Sequence, residues 1–232
     1  KRQPTGLSIN SATGEISGTP TILSSATSYT VTATNTGGSA TTLITISVIE
    51  APPSSITYNP NSFTLTKGTA MTAPVVPTAS GDPAVSWSIT PSLPTGIVFD
   101  TATGAISGTP SIVSPSTTYT VTATNNGGSG TTTITMQVND IAPSAITYNP
   151  SSLSLAEGVT MSSVTPTSSG GDVVSWTISP TLPAGLLIDS ATGTISGTPT
   201  STSPSTIYTV TATNTGGSAS ATVTIIVNDA PP

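Results

Sequence analysis

Polar and apolar residues alternate with a period of two along several short segments of the chain. In the segment AVSWSIT, Val85, Trp87 and Ile89 fall on one face, and serine or threonine fills the other. Because successive side chains of a strand point to opposite faces of a sheet, this alternation predicts half-buried β-strands. The segments TYTVTATN and TTITMQV follow the same rule, and their residues expected to face a core are Tyr119, Val121, Ala123, Ile134, Met136 and Val138.

The pattern recurs along the chain. The glycine of the motif TG-x-ISGTP stands at Gly14, Gly104 and Gly193, which are 90 and 89 residues apart, and Trp87 and Trp176 are 89 apart. A period near 90 residues is too long for one turn of a solenoid and matches one small β-sandwich per repeat. In the motif itself, we interpret Thr-Gly as a turn at positive φ between two short strands, with Ile16 directed into the core.

Each complete repeat is predicted to contain seven short strands. The candidate segments of the second repeat are SITYN and SFTLT, APVVP between loops, and the short pair GIVFD and AISG, besides the three alternating segments above. Asn-Gly-rich segments at 35–38, 125–128 and 214–217 predict hairpin turns before the last strand. The predicted fold is therefore all-β: tandem seven-stranded antiparallel sandwiches, stacked as a rod.

Three units follow from the period: residues 1–53, 54–143 and 144–232. The segment QPTGLSIN aligns with LPTGIVFD in the middle of the second unit, so residues 1–53 correspond to the C-terminal half of a repeat. Half a sandwich leaves its apolar face and a strand edge without a partner. Two explanations remain open: the chain is an excerpt of a longer array, or a neighbouring subunit completes the half repeat by strand complementation.

Composition limits the functions that the chain can have. It carries 3 Lys+Arg against 9 Asp+Glu, with no His and no Cys. So few basic residues cannot neutralise a phosphate backbone, which argues against nucleic acid as a partner. The chain has no apolar run long enough for a transmembrane helix. A surface made soluble by hydroxyl groups rather than by charge favours an extracellular location.

The sequence offers little for catalysis. A serine nucleophile needs a base, and the chain has no His, while its one lysine in a complete repeat, Lys67, has no counterpart in the next. Asp82 and Asp100 recur as Asp172 and Asp189, but Asn10 replaces the second of these aspartates in the first unit. We expect Asp100 and Asp189 to begin Asx-type turns. The prediction is a protein that is not an enzyme.

The segment LPAGLLIDSATGTISGTPT, with YTVTATNTGGSASATVTIIV after it, resembles the immunoglobulin-like repeat found in tandem in large bacterial and archaeal surface proteins. That group is related to cadherin-like and dystroglycan-type cadherin-like domains. The resemblance covers nearly the whole chain and implies a seven-stranded sandwich that serves outside the cell as a spacer or an adhesive element. It does not by itself imply a ligand, since such folds host many functions.

The resemblance also raises the question of calcium, which cadherin-like units bind at domain junctions through an acidic cluster. In this chain only the linker acid recurs, as Glu50, Asp140 and Asp229. Calcium takes six to eight oxygen ligands, so these three residues are weak calcium candidates. We predict no other cofactor and no catalytic residue.

The function predicted from the sequence is a non-catalytic extracellular module. It acts either as the spacer of a prokaryotic surface adhesin or as the body of a surface filament, with other repeats of the same protein as its partners. The alternative is an adhesive module that binds a glycan or a protein through exposed threonine rows or loop tips.

Overall fold

Residues 2–230 are described by the structure, a computed structural model of the chain. Every regular element among them is a β-strand, so the all-β prediction is confirmed. The first repeat contributes four strands, which are β1 (Leu7–Ile9), β2 (Ile16–Gly18), β3 (Ser24–Asn35) and β4 (Gly38–Val48).

The second and third repeats each contain eight strand segments in the same order. Those of the second repeat are β5 (Ser54–Thr57), β6 (Ser62–Thr66), β7 (Thr78–Ser80), β8 (Ser86–Thr90), β9 (Ile97–Phe99), β10 (Ile106–Gly108), β11 (Ser114–Asn125) and β12 (Gly128–Asn139). Those of the third are β13 (Pro143–Thr147), β14 (Ser152–Ala156), β15 (Thr167–Gly170), β16 (Ser175–Ser179), β17 (Leu186–Ile188), β18 (Ile195–Gly197), β19 (Ser203–Asn214) and β20 (Gly217–Asn228).

Two layers form each complete repeat. The larger sheet has the strand order β6-β12-β11-β8, and the other layer contains the pairs β5–β7 and β9–β10, joined by a bridge between Val75 and Ile106. The first strand of the sandwich is divided, with β5 in the smaller layer and β6 in the larger sheet, so seven strands become eight segments. As a result of this crossing, β6 runs parallel to β12, and β14 to β20. The sandwich is otherwise antiparallel, as predicted.

The core lies between the two layers and contains the residues expected from the alternation. Tyr119, Val121, Ala123, Ile134, Met136 and Val138 are all buried, and both tryptophans are buried in their repeats. One prediction is wrong: Val85 is 67% exposed. Val85 lies just before β8, and its N–H donates to the carbonyl of Thr124, one residue before the hairpin asparagine, so the alternation here reaches the end of the sheet, where it does not bury the side chain.

The segment APVVP differs from its prediction as a strand. Only Val75 makes a bridge, by exchanging two backbone hydrogen bonds of 2.9 Å with Ile106, and the strand proper begins later at Thr78. Pro74 and Pro77 lack the backbone N–H group that a continuous ladder needs.

The first repeat has an open face. Its apolar residues keep the alternation, but Ile16 is 39% exposed whereas the equivalent Ile106 and Ile195 are fully buried. The prediction that Ile16 is directed into a core is therefore wrong, although the equivalent isoleucines of the complete repeats are buried. In the first repeat the corresponding space is an open groove between the β1–β2 and β3–β4 pairs, lined by Ile9, Ile16, Tyr29, Val31, Ile44 and Ile46.

Candidate functional site at the junctions between repeats

Each complete repeat holds the linker that precedes it with the hairpin between its last two strands. Asn125 begins this hairpin in the second repeat, and its side-chain Oδ1 accepts hydrogen bonds from the N–H groups of Gly127 (2.9 Å) and Gly128 (3.1 Å). The predicted hairpins are therefore confirmed. The left-handed backbone is at the second glycine of each turn rather than at the asparagine.

The other end of the same amide reaches the linker. Asn125 Nδ2 donates to the carbonyl of Ala51 at 2.8 Å, and Asn214 Nδ2 donates to the carbonyl of Ile141 at 2.7 Å. Both asparagines are only 6% exposed. A buried polar group without a partner costs about 1–3 kcal/mol, so the linker carbonyl is part of what stabilises each hairpin.

The fit between linker and hairpin leaves no room for a side chain. A Cβ atom on Gly127 would collide with the carbonyl of Glu50, and one on Gly216 would collide with the carbonyl of Asp140. At the equivalent Gly37 of the first repeat, a Cβ would meet only Asn35 Oδ1, at 3.3 Å. The motif Asn-x-Gly-Gly predicts the turn. It does not predict that the same residues contact the linker, because the linker backbone lies more than 70 residues earlier in the chain.

A third contact to the linker comes from the loop before β8. Asp82 and Ala51 exchange two hydrogen bonds. The N–H of Ala51 donates to Asp82 Oδ2 at 2.7 Å, and the N–H of Asp82 donates to the carbonyl of Ala51 at 3.2 Å. At the second junction the Asp172 carbonyl accepts a hydrogen bond from Asn214 Nδ2 at 3.1 Å, as the Asp82 carbonyl does from Asn125 Nδ2 at 3.4 Å, and these two bonds hold the asparagine rather than the linker. The first linker is thus held between two loops of the following repeat. We call the hairpin asparagine, its following glycines and this loop the junction clamp.

Two of the three predicted calcium candidates, Glu50 and Asp140, lie at these junctions, each with one carboxylate oxygen already engaged. Glu50 Oε2 accepts a hydrogen bond from the N–H of Asn126 at 3.0 Å. Asp140 Oδ1 accepts one from the N–H of Ile141 at 2.9 Å and lies 3.8 Å from Lys67 Nζ, whereas Asp229 is exposed. Within residues 2–230, no group of three or more acidic, histidine or cysteine side chains is placed to hold a metal ion. Calcium binding by these residues stays a prediction.

Asp100 and Asp189 form the Asx turns expected from the sequence. Asp189 Oδ1 accepts hydrogen bonds from the N–H groups of Ala191 (2.7 Å) and Thr192 (3.0 Å), and Asn10 makes the equivalent pair in the first repeat. The bond from the Ala191 N–H, with that from Thr192, lowers the pKa of Asp189 below its ordinary value. These carboxylates therefore order a loop.

A buried tyrosine fixes the motif loop, a contact that the sequence analysis missed. The Tyr58 hydroxyl donates to the Gly104 carbonyl at 2.6 Å, and that of Tyr148 donates to the Gly193 carbonyl at 2.6 Å. Burial raises the pKa of Tyr148 to about 12. The recurrence of Tyr58 and Tyr148 at the repeat period was the available signal.

The outer face of the larger sheet is lined with hydroxyl groups. On β11, Thr120 stands opposite Thr133 of β12 and Thr90 of β8. One step along, Thr122 stands between Thr131 and Ser88. The same arrangement recurs in the third repeat, where the row across three strands consists of Thr222, Thr209 and Ser179. The predicted threonine rows thus form a continuous surface over several strands.

Comparison with known families identifies the repeats. A family model described as "Putative Ig domain" matches residues 1–49, 53–139 and 143–228. The chain belongs to the Putative Ig domain family. The two intervals between the matched ranges contain the linker residues that the junction clamps hold.

Proteins similar to this Ig-domain chain include the "Serine-rich adhesin for platelets" of several Staphylococcus aureus strains. Identity is 32% over 182 residues, and the alignment covers 78% of this chain. It covers 8% of the adhesin of strain N315 and 13% of that of strain MRSA252. The chain therefore spans about a tenth of the length of these relatives.

Solved structures of tandem Ig domains are similar in fold. The N-terminal eight Ig domains of Down Syndrome Cell Adhesion Molecule (DSCAM) superpose with a TM-score of 0.53 at 15% identity, over 97% of this chain and 31% of that chain. The titin I-band fragment I67–I69 gives a TM-score of 0.46 at 14% identity, over 98% and 84%. Across residues 2–230, no helix is long and apolar enough to cross a membrane.

Proposed function

We propose that this chain is a non-catalytic structural module of a cell-surface adhesin, in which Ig domains linked in series separate the cell from a distal binding region. The observation that carries the proposal is the junction clamp, which recurs at both junctions with an equivalent asparagine, Asn125 at the first and Asn214 at the second. The likeness to a staphylococcal protein named as an adhesin supports a location at the cell surface.

The dimensions of a repeat suit a spacer. The preceding linker meets the hairpin at the start of β12, and the following linker leaves from the end of that strand. With twelve residues in β12 at about 3.3 Å each, the two linkers are roughly 40 Å apart. Each added repeat then extends the array by a similar length, and the clamps limit bending between repeats.

Surface display tests this proposal. The chain, or the chain with an added copy of residues 54–143, is placed between a membrane anchor and a well-characterised binding domain on encapsulated bacteria. We expect ligand capture to rise with the number of repeats, because each repeat lifts the binding domain further through the capsule. Capture that does not depend on repeat number would refute the spacer.

The hydroxyl-lined sheet face supports a second candidate function, which is binding of a glycan or a protein. The observation in its favour is the continuous row of Thr133, Thr120 and Thr90 across three strands, together with its equivalent in the third repeat. A glycan array probed with the chain and with Thr120→Lys separates the two functions. Signals that vanish in the variant would support glycan binding by the threonine row. An array without signals would refute glycan binding, and the spacer would be the remaining function.

The open groove of the first repeat supports a partner for residues 1–53. In the second repeat, the equivalent space is filled by Tyr58, Phe63 and Trp87 from the first half of the repeat. We propose that a segment of this kind, from the same array or from a neighbouring subunit, complements the groove. A synthetic peptide of residues 54–94 should protect the amides of β3 and β4 from hydrogen exchange, and unchanged exchange at saturating peptide would refute it.

A further inference from the structure

We propose that Asn126 is a site of spontaneous deamidation, that its conversion loosens the junction between the first and second repeats, and that the junction clamp controls the rate of conversion. The proposal concerns a covalent change of the chain and goes beyond the function of a spacer. It uses the junction clamp only as geometry, so it holds whether the array serves as a spacer or as a binding surface.

The reactive pair occurs once in the chain. Asn126 stands in the turn between β11 and β12 and is followed by Gly127, and no other asparagine of the sequence precedes a glycine. Asparagine is one of the thermolabile side chains. Because glycine has no Cβ atom, its backbone nitrogen can approach a neighbouring group closely. The equivalent turn positions hold Thr36 and Thr215, which have no side-chain amide to lose.

The reaction balances with water from the solvent as its only co-reactant. The Gly127 backbone nitrogen forms a bond to Cγ of Asn126, and the side-chain nitrogen leaves as ammonia with the proton of the attacking nitrogen. Water then opens the resulting succinimide ring. Cleavage of the bond to Cγ gives aspartate. Cleavage of the bond to the backbone carbonyl carbon gives isoaspartate, in which the main chain runs through the side chain and gains a methylene group.

The junction clamp holds the attacking nitrogen. The Asn126 side chain is exposed at a cleft beside Glu50. The Gly127 N–H, however, donates to Asn125 Oδ1 at 2.9 Å, and Asn125 Nδ2 donates to the linker carbonyl of Ala51 at 2.8 Å. Ring closure turns the Gly127 nitrogen toward Asn126 and so breaks its bond to Asn125. Conversion is therefore expected while the clamp is open.

Neither product fits the closed junction. The Asn126 N–H donates to Glu50 Oε2 at 3.0 Å, so a carboxylate on residue 126 places a second negative charge beside Glu50. That carboxylate is ionised at neutral pH and repels its neighbour. Gly127 already lies so close to the linker that a Cβ atom would collide with the Glu50 carbonyl. The added methylene of isoaspartate displaces this contact, and refolding does not reverse the change.

The second junction lacks this reaction. Thr215 Oγ1 accepts a hydrogen bond of 2.9 Å from the Asp140 N–H, so the same turn position contacts the linker there through a hydroxyl group. An ageing chain is thus expected to loosen at its first junction and to keep its second.

Mass spectrometry tests the reaction itself. The full chain and a free peptide of residues 121–130 are incubated side by side at mildly alkaline pH, and the acid form of residue 126 is measured over time. We expect conversion in the chain to be roughly 2- to 13-fold slower than in the peptide, the factor for opening one net hydrogen bond. Asn126→Thr should show no conversion at this position. A chain that keeps its amide after the peptide is fully converted overturns the proposal.

A second comparison tests control by the clamp. Asn125→Ala removes the acceptor of the Gly127 N–H, and conversion should rise toward the rate of the peptide. Ser129→Ala is the control, since Ser129 is exposed and follows the same turn, and its rate should equal that of the wild type. A folded Asn125→Ala with the wild-type rate overturns control by the clamp. If melting curves show that Asn125→Ala is unfolded, the wild type is followed in urea below its unfolding transition, and a rate that does not rise with urea has the same consequence.

Melting of the converted protein tests the effect on the junction. Ion exchange separates the converted chain by its added negative charge. In a Trp176→Phe background, Trp87 fluorescence reports the second repeat, whose melting temperature should fall on conversion. In a Trp87→Phe background, the third repeat should melt unchanged. Equal melting of the second repeat before and after conversion overturns the loosening. The surface-display result does not enter these measurements, so this proposal and the spacer can fail separately.

Discussion

Replacing Asn214 with alanine should uncouple the third repeat from its linker and destabilise it. The side chain makes three hydrogen bonds: two from Nδ2, to the Ile141 carbonyl (2.7 Å) and the Asp172 carbonyl (3.1 Å), and one accepted by Oδ1 from Gly216 N–H (2.8 Å). At about 1 kcal/mol net for each bond, the loss is roughly 3 kcal/mol. For a domain of this size, that corresponds to a fall in melting temperature of roughly 12–24 °C.

The assay uses tryptophan fluorescence, because Trp176 belongs to the third repeat and Trp87 to the second. In a Trp87→Phe background, thermal melting reports the third repeat alone. Ser218→Ala is the control in the same repeat, since Ser218 is exposed and directly follows the same turn. A shift in Asn214→Ala that is no larger than that of the control would refute the role of the buried amide.

A second pair of variants separates linker contact from turn formation. Gly216→Ala places a methyl group against the Asp140 carbonyl, whereas Gly37→Ala meets only the Asn35 side chain. Both glycines occupy the same turn position. We therefore expect a large loss of stability in the first variant and a small one in the second, and equal losses would contradict the account.

Three further predictions concern the loops. Asp189→Asn should keep the Asx turn and reduce acid sensitivity; folding lowers the pKa of Asp189, so its stabilisation is present above the ordinary pKa and is lost as pH falls through the lowered value. Melts at neutral and acid pH compare it with wild type, and equal acid losses would contradict this. Tyr148→Phe should cost about 1–3 kcal/mol in a urea titration by leaving the Gly193 carbonyl unpaired. Because burial raises the pKa of Tyr148 to about 12, the wild-type protein should lose stability as pH rises from the ordinary tyrosine pKa toward that value, and Tyr148→Phe should lose less. An unaltered dependence of stability on alkaline pH would count against this prediction. Gly104→Ala should destabilise more than Gly14→Ala, because both have positive φ but only a Cβ at Gly104 would lie 2.7 Å from the Trp87 ring; melting curves of equal shift would refute the steric argument.

Strand positions and core residues followed from the sequence because alternation depends on local side-chain direction. Tyr119, Val121 and Ala123 were predicted inward and are buried. The failures lie where non-local features decide. Val85 continues the alternation but lies at the end of the sheet, just before β8, where its side chain is exposed. The parallel pairing of β6 with β12 depends on which sheet an edge strand joins, which periodicity does not reveal.

The candidate site was predicted only in part. The hairpins at Asn125 and Asn214 were recognised from their turn residues, and the linker acids were placed at the junctions. The clamp itself was missed because the amide of a turn asparagine can point to solvent or to a distant carbonyl, and the sequence does not distinguish the two. The recurrence of Asn35, Asn125 and Asn214 at the repeat period was the one signal that pointed to it.

The central claim is that the second and third repeats each hold the preceding linker through the junction clamp, and that these contacts make the array a stiff spacer. Spin labels at Thr72→Cys and Ser162→Cys, which are exposed equivalent sites in a chain without native cysteines, measure the distance between the second and third repeats. The account predicts one narrow distance distribution that broadens in Asn214→Ala. A broad distribution in the otherwise unaltered chain, unchanged by that substitution, would contradict it.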